Sequence, residues 1–188
     1  MKTKAKNITK AERKIQSEPI ATRVALHPFL AGMNHTQLTL LTDCAMAAHF
    51  KRGQVILREG EVANRFYLIE RGEVVLESSE ELAGPVIIET IGAGGLLGWS
   101  WMFPPYVWHF TARAIEPTEA IFFYGTILRE YCERDASLGY GLFKRMAPVM
   151  LKRLQAARKK MLAVHAHTGT LEPVVLESPF MDQELDMN

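Results

Sequence analysis

The sequence is poor in cysteine, has no long apolar run and carries almost no net charge. Its two cysteines, Cys44 and Cys132, stand far apart with no C-x-x-C spacing, which excludes a disulfide framework and a cysteine-built zinc or iron–sulfur site. Reduced thiols in a cytoplasmic protein are the expectation. No stretch of about 18 apolar residues occurs, so no membrane-spanning helix is expected. The basic N-terminus also lacks the apolar core and small-residue cleavage site of a secretory signal. With 22 Lys+Arg against 21 Asp+Glu the net charge is +1, which argues against a surface built as a whole for phosphate backbones. No nucleophile–base–acid set and no G-x-x-x-x-G-K-[ST] loop is present, so neither an enzyme nor a cofactor is expected.

The remaining composition, 48% apolar and 23% charged over 188 residues, is that of one globular domain with a sizeable core. Charge is uneven along the chain. Residues 1–14 carry five Lys and Arg13 against Glu12, a local +5, while residues 166–188 carry five acids and no Lys or Arg. Both ends read as solvated tails.

Residues 8–26 mix helix formers with charges and lead into His27-Pro28, where a short helix should stop. Leu38, Leu41, Ala45 and Met46 recur at helical spacing, with Asn34 or Thr36 as an N-cap, which predicts a second helix over 34–48. From Phe50 to Tyr124 the apolar residues instead come in short β-branched or aromatic runs at 55–57, 66–69, 74–76, 86–88 and 120–123. Gly53, Gly60, Gly72, Gly84, Gly92 and Gly98 punctuate them, the pattern of a small antiparallel barrel or jelly roll. Helix returns at 126–133 and again over about 137–164. The longer one has an apolar stripe from Leu138 through Leu142, Met146, Met150, Leu154 and Met161 to Val164, and Pro148 predicts a kink or break near Ala147.

The expected fold is therefore α+β, an antiparallel jelly roll flanked by N-terminal helices and a long C-terminal helix. The expected parts are a basic tail and helix (1–26), the jelly roll (27–125), C-terminal helices (126–164) and an acidic tail (165–188). The long helix has more apolar stripe than a small β-domain covers, which points to a homodimer through 137–164.

In order along the chain stand His27-Pro28-Phe29-Leu30, Phe50-Lys51-Arg52-Gly53, Arg58-Glu59-Gly60-Glu61, Phe66-Tyr67-Leu68-Ile69 and Arg71-Gly72-Glu73-Val74. This combination resembles the cyclic nucleotide-binding domain of catabolite-activator (Crp/Fnr-like) proteins, over about residues 27–164. That resemblance implies a ligand-sensing regulatory module whose long helix is a dimer helix. The family's DNA-reading members add a helix-turn-helix after it. Only 24 residues follow Val164 here, acidic and broken by Pro173 and Pro179, so no direct DNA binding is expected and signalling would pass to a partner protein.

The resemblance also implies a phosphate-binding cassette, in which a glutamate accepts from the ribose hydroxyl while an arginine and a short helix N-terminus hold the cyclic phosphate. The matching stretch is 93–114. Gly98 fits, but Trp99 stands where the glutamate belongs and Trp108 where the arginine belongs. High-affinity cAMP or cGMP binding is disfavoured, since the missing arginine alone removes roughly 1.5 to 3 kcal/mol. Trp99, Trp101, Phe103, Tyr106, Trp108 and Phe110 crowd this loop and include every tryptophan of the chain.

Two readings of that cluster compete. In one, Gly98, Trp99, Ser100, Trp101, Tyr106, Trp108, His109, Phe110 and Arg113 line a pocket for a small molecule other than cAMP or cGMP. In the other, the tryptophans fill the vacated site and the protein is a ligand-free dimerisation or interaction module. For Arg113 a surface or ion-pair role is favoured over ligand binding. A cupin-like metalloenzyme, which also uses a jelly roll, needs two or three histidines plus a glutamate on facing strands, and only His109 and, at the margin, His49 are available. No metal site is expected.

Overall fold

The computed structural model of the chain describes residues 18–80 and 84–168. The basic run 1–14 and the acids of the expected C-terminal tail lie outside them. Among the described residues eight strands run in the order β1 (Ala45–Phe50), β2 (Val55–Leu57), β3 (Arg65–Arg71), β4 (Val74–Glu80), β5 (Gly84–Ile91), β6 (Leu96–Leu97), β7 (Thr111–Ala114) and β8 (Thr118–Tyr124). They form two antiparallel four-stranded sheets, β1-β8-β3-β6 and β2-β7-β4-β5. The helices are α1 (Ile20–Leu26), α2 (His35–Asp43), α3 (Gly125–Arg134) and α4 (Ala136–Thr168), with 3-10 turns at Pro28–Leu30 and Trp99–Met102. This is the expected α+β jelly roll.

Strand β3 explains the layering. Its run Phe66-Tyr67-Leu68-Ile69 is wholly buried because successive side chains point to opposite faces and both faces are covered. Tyr67 and Ile69 enter the barrel interior with Leu57, Val74, Leu76, Leu97 and Ala120. Phe66 points the other way and stacks on Phe123 of β8, ring centroids 4.5 Å apart. At the β3–β4 turn Gly72 has φ +89°, and a Cβ there would lie 2.6 Å from the Pro117 carbonyl oxygen and the Thr118 Oγ1. Only glycine permits both that dihedral and that approach.

One ion pair and a buried imidazole hold the N-terminal helical segment to this sheet, and a second ion pair ties two of its strands. Arg23 of α1 pairs with Glu70, its Nε donating at 2.9 Å, and Arg71 pairs with Glu119 across the β3–β8 register. His27 is buried, accepting from the Phe29 N–H on Nδ1 at 3.2 Å and lying with Nε2 3.3 Å from the Ile69 carbonyl. Burial pushes its pKa below the ordinary value.

Two expectations need correction. The second helix starts where expected, with Asn34 and Gln37 closing a reciprocal capping box, but it ends at Asp43 rather than continuing to 48. Residues 45–50 are instead strand β1, paired with β8 from Ala45–Phe123 to Phe50–Thr118. Ala45 and Met46 fit a helical stripe, but the open edge of β8 recruits their backbone. Of the kink or break expected near Ala147, the break does not occur, since Ala136–Thr168 is one helix with Pro148 inside it. Proline there costs one backbone hydrogen bond without ending the element.

The chain divides into two compact units, one reaching Val149 and one from Met150. In the first, α4 buries Leu138, Leu142 and Met146. Arg145 donates to the Ala31 carbonyl at 2.7 Å and Gln37 to the Ser137 hydroxyl at 3.1 Å. In the second, the outer turns of α4 expose Leu151, Leu154, Met161 and Leu162. No helix among the described residues is long and apolar enough to cross a membrane.

Candidate functional site

The loop leaving β6 occupies the place of the expected cassette. Gly98 opens it at φ +83°, a left-handed conformation that disfavours a side chain, and a second constraint lies in the space beside it. A Cβ there would stand 3.0 and 3.1 Å from Cζ3 and Cη2 of Trp108, and 3.3 Å from Cδ1 of Leu57. The Trp108 indole is thus packed directly against the glycine. It is 4% exposed and belongs to the barrel-interior cluster with Leu57, Ala63, Tyr67, Ile69, Leu97 and Ala112.

Main-chain pairing holds Trp108 there. Its N–H donates to the Glu61 carbonyl at 2.9 Å and its carbonyl accepts from Gly60 N–H at 2.8 Å. The Ala63 N–H donates to the Tyr106 carbonyl at 2.6 Å, and Val62 and Val107 form an isolated bridge. The loop is laced to residues 60–63 as a short extra ladder across the barrel end. Tyr106, a non-glycine residue at φ +58°, makes the turn into it.

Trp101 goes elsewhere. It is fully buried, stacked on Phe66 at 5.3 Å with the rings 14° from parallel. Since Phe66 and Tyr67 point to opposite faces of β3, Trp101 and Trp108 lie on opposite sides of one sheet. No acceptor reaches the Trp101 indole N–H among the described residues. Its side chain fits closely against the start of α3, where a Cβ on Gly125 would lie 2.9 Å from the Trp101 Cβ. Arg129 of α3 donates to the Trp101 carbonyl and sits 4.2 Å over the Tyr106 ring, a cation–π contact that ties the loop to the helix.

The other expected site residues scatter. Trp99 is half-buried and Ser100 buried within the 3-10 turn, Phe110 lies half-buried against the barrel cluster, and His109 is exposed. Arg113 on β7 donates from Nε and Nη2 to one Glu77 carboxylate oxygen at 2.9 and 2.7 Å, and from Nη1 to the Gly53 carbonyl at 3.2 Å. Glu77 is buried beside a register shift of the β4–β5 pair, where Ile88 is the extra residue of β5. So Gly98, Trp108 and Phe110 meet at the barrel interior, Trp101 is structural core, and Arg113 is engaged in an ion pair.

Sequence reasoning missed Arg129 and Glu77. Nothing in the spacing of either marks it, although an acid directly after Val74-Val75-Leu76 in a strand signals a buried pair seeking a cation. For metal chemistry, no group of three or more His, Cys, Asp or Glu side chains gathers among the described residues. Cys44 and Cys132 are free thiols, and burial pushes them up to about 12 and about 11, far from the range of a reactive thiolate.

Comparison with known proteins agrees with this architecture. Residues 47–135 match the family model described as the cyclic nucleotide-binding domain. Over 70 residues the chain is 31% identical to human cGMP-dependent protein kinase 2, covering 37% of this chain and 9% of the kinase; it thus spans under a tenth of that relative. Among solved structures it is similar to a candidate cyclic nucleotide-binding protein of Geobacter metallireducens GS-15, at 28% identity and TM-score 0.65, covering 73% of this chain and 99% of that one. Catabolite activator protein of Thermus thermophilus shares the fold at 20% identity and TM-score 0.58, with 73% and 62% covered.

Proposed function

We propose, for a chain whose residues 47–135 form a domain of the cyclic nucleotide-binding family, that it is a non-enzymatic regulatory module whose barrel site is filled by its own Trp108 and whose output is the long helix α4. The observation that carries this is the Trp108 indole, 4% exposed and packed against Gly98 inside the barrel. A nucleotide would have to expel a ring whose removal costs about 3–5 kcal/mol. It would then meet no arginine on the loop, since Arg113 is already spent on Glu77. Ordinary cyclic nucleotides are therefore not its ligands. The regulatory character of the fold's relatives supports the module reading. Output through α4 takes the form of a homodimer along 137–164 or a contact with a partner protein. Free cysteines fit a reducing, cytoplasmic setting.

A second reading, a sensor for a small molecule other than cAMP or cGMP, is favoured by the half-buried aromatic rim of Trp99, Tyr106 and Phe110 beside the filled site. In that reading a ligand displaces Trp108 and shifts the population of α4 arrangements.

One experiment separates them. The wild-type protein is screened by thermal shift and tryptophan emission against cAMP, cGMP, cyclic dinucleotides and aromatic and aliphatic carboxylates, and Trp108→Ala is titrated with indole. The filled-site reading expects silence from the wild type, a loss of about 3–5 kcal/mol in the variant, and partial recovery of its melting temperature by indole in the vacated cavity. A stabilising shift with cAMP or cGMP overturns it. A shift with a non-nucleotide alone moves the conclusion to the second reading.

A further inference from the structure

The outer turns of α4 combine an exposed apolar stripe with a charge of one sign. Leu151, Leu154, Met161 and Leu162 are 55, 67, 52 and 50% exposed. Met150, Leu154, Ala157 and Met161 follow one another at steps of four, three and four residues. In the sequence the same alternation continues backwards through Ala147, Phe143 and Tyr140. An average step of 3.5 residues is the repeat of a coiled-coil seam, narrower than the stripe of a helix lying on a globular core.

Three of the four positions flanking that seam within 150–163 are basic, Arg153 and Lys160 on one side and Arg158 on the other, and Leu151 is the fourth. Lys144, Arg145, Lys152, Arg153, Arg158, Lys159 and Lys160 are the charged residues of Ala136–Thr168, which contains no Asp or Glu. In a parallel pair of identical helices the flanking residue of one heptad meets the opposite flank of the partner's next heptad. Self-pairing would set Arg153 against the second copy's Arg158. Like charges at these positions disfavour self-association and favour a complementary partner.

We propose that residues 150–163 form a docking seam for a helix of a different protein, one with apolar residues at the 3.5 repeat and acidic residues at the flanks. The chain's own acids, Glu172, Glu177, Asp182, Glu184 and Asp186, carry the same sign of charge as that partner, and the test below separates the two. This rests on α4 as the output of the module and is independent of whether the barrel is filled, so the ligand screen and the test below fail separately.

The test uses the full chain and a labelled synthetic helix of about four heptads with Leu at both core positions and Glu at both flanks, compared with the same peptide carrying Lys flanks. Fluorescence anisotropy at low and high salt reads affinity, and sedimentation reads self-association. The acidic peptide is expected to bind at least about tenfold more tightly than the basic one, to weaken with salt, and to lose most of that preference in Arg158→Glu, a charge reversal at an exposed flank. Equal binding of the two peptides overturns the proposal. So does a tight self-dimer that the acidic peptide does not dissociate. If the acidic peptide binds only after Glu172, Glu177, Asp182, Glu184 and Asp186 are changed to their amides, the occupant is the chain's own tail and the proposal is equally overturned.

Discussion

The loop 98–110 and the outer turns of α4 are both crowded with apolar side chains, and they treat them in opposite ways. The loop turns its rings inward, Trp108 into the barrel and Trp101 onto the far face of the same sheet. The helix leaves Leu154 and Met161 more than half exposed. In the sequence the first reads either as a ligand site or as a self-filled one, and the second as a stripe longer than the β-domain covers. The difference lies in what the fold offers each: the loop is bordered by β3 and α3, whose faces need covering, whereas the helix past Val149 belongs to a separate compact unit. Aromatic density therefore marks self-packing as readily as recognition.

The sharpest way to break this comparison is Trp101→Ala. If the tryptophan is core, its loss removes the stack on Phe66 and leaves a large cavity. The expected cost is about 3–5 kcal/mol in urea unfolding, with a fall in midpoint at constant slope. A near-neutral result would mean that the loop is loosely held and its rings available for binding. Trp108→Ala instead opens the barrel interior, and indole should restore part of the lost stability in either variant, since each vacates a ring-sized apolar cavity.

Arg113→Ala comes next. The guanidinium is partly exposed but Glu77 is buried, so the variant strands a carboxylate in the sheet. A destabilisation of about 1–3 kcal/mol is expected at neutral pH. Double substitution with Glu77→Gln should recover part of the loss, since both charges then leave together. If Arg113→Ala instead left stability unchanged, the arginine would be free for an anionic ligand.

Much of this was legible in the chain. Five of the eight described strands announce themselves as β-branched or aromatic runs between glycines, and Asn34 with Gln37 signals the start of α2. Strands β1, β6 and β7 did not, because Ala45–Phe50 carries helix-favouring alanines, while two- and four-residue strands are too short to show a period. The candidate site was legible as a location and not as an arrangement. Gly98 and the ring cluster pointed to the loop, but which face of β3 each ring chooses depends on the closeness of Gly125 to Trp101 and of Gly98 to Trp108, contacts between residues well separated in sequence.

The entrance to the loop offers a milder test. The Ile69 carbonyl accepts from Gly94 N–H at 2.7 Å and faces the His27 Nε2 at 3.3 Å, so His27 supports the turn that leads into β6. Neutral imidazole fits, with Nδ1 accepting from Phe29. Protonation would place a second N–H against that donor. Burial is the leading cause holding the native pKa below the ordinary 6.5, although Glu70 nearby pulls the other way. The unfolded chain then binds the proton more readily, so this contribution is fully present above about pH 6.5 and is lost as pH falls through the lower native pKa. Melting temperatures from pH 7.5 to 5 should decline less steeply in His27→Gln than in the wild type; parallel curves would remove His27 from the account.

The smallest expected effect belongs to the helix. Leu154→Ala deletes a large side chain, as Trp101→Ala does, but one that is 67% exposed. Little burial is lost, and alanine is the better helix former, so monomer stability should move by less than about 0.5 kcal/mol in either direction. The same substitution removes a central knob of the docking seam and should weaken binding of the acidic heptad peptide about tenfold. Stability unchanged and binding reduced would show that the exposed stripe exists for a partner. A loss of stability comparable to that of a core leucine would show that Leu154 is covered within the free protein, and the contrast between loop and helix would disappear.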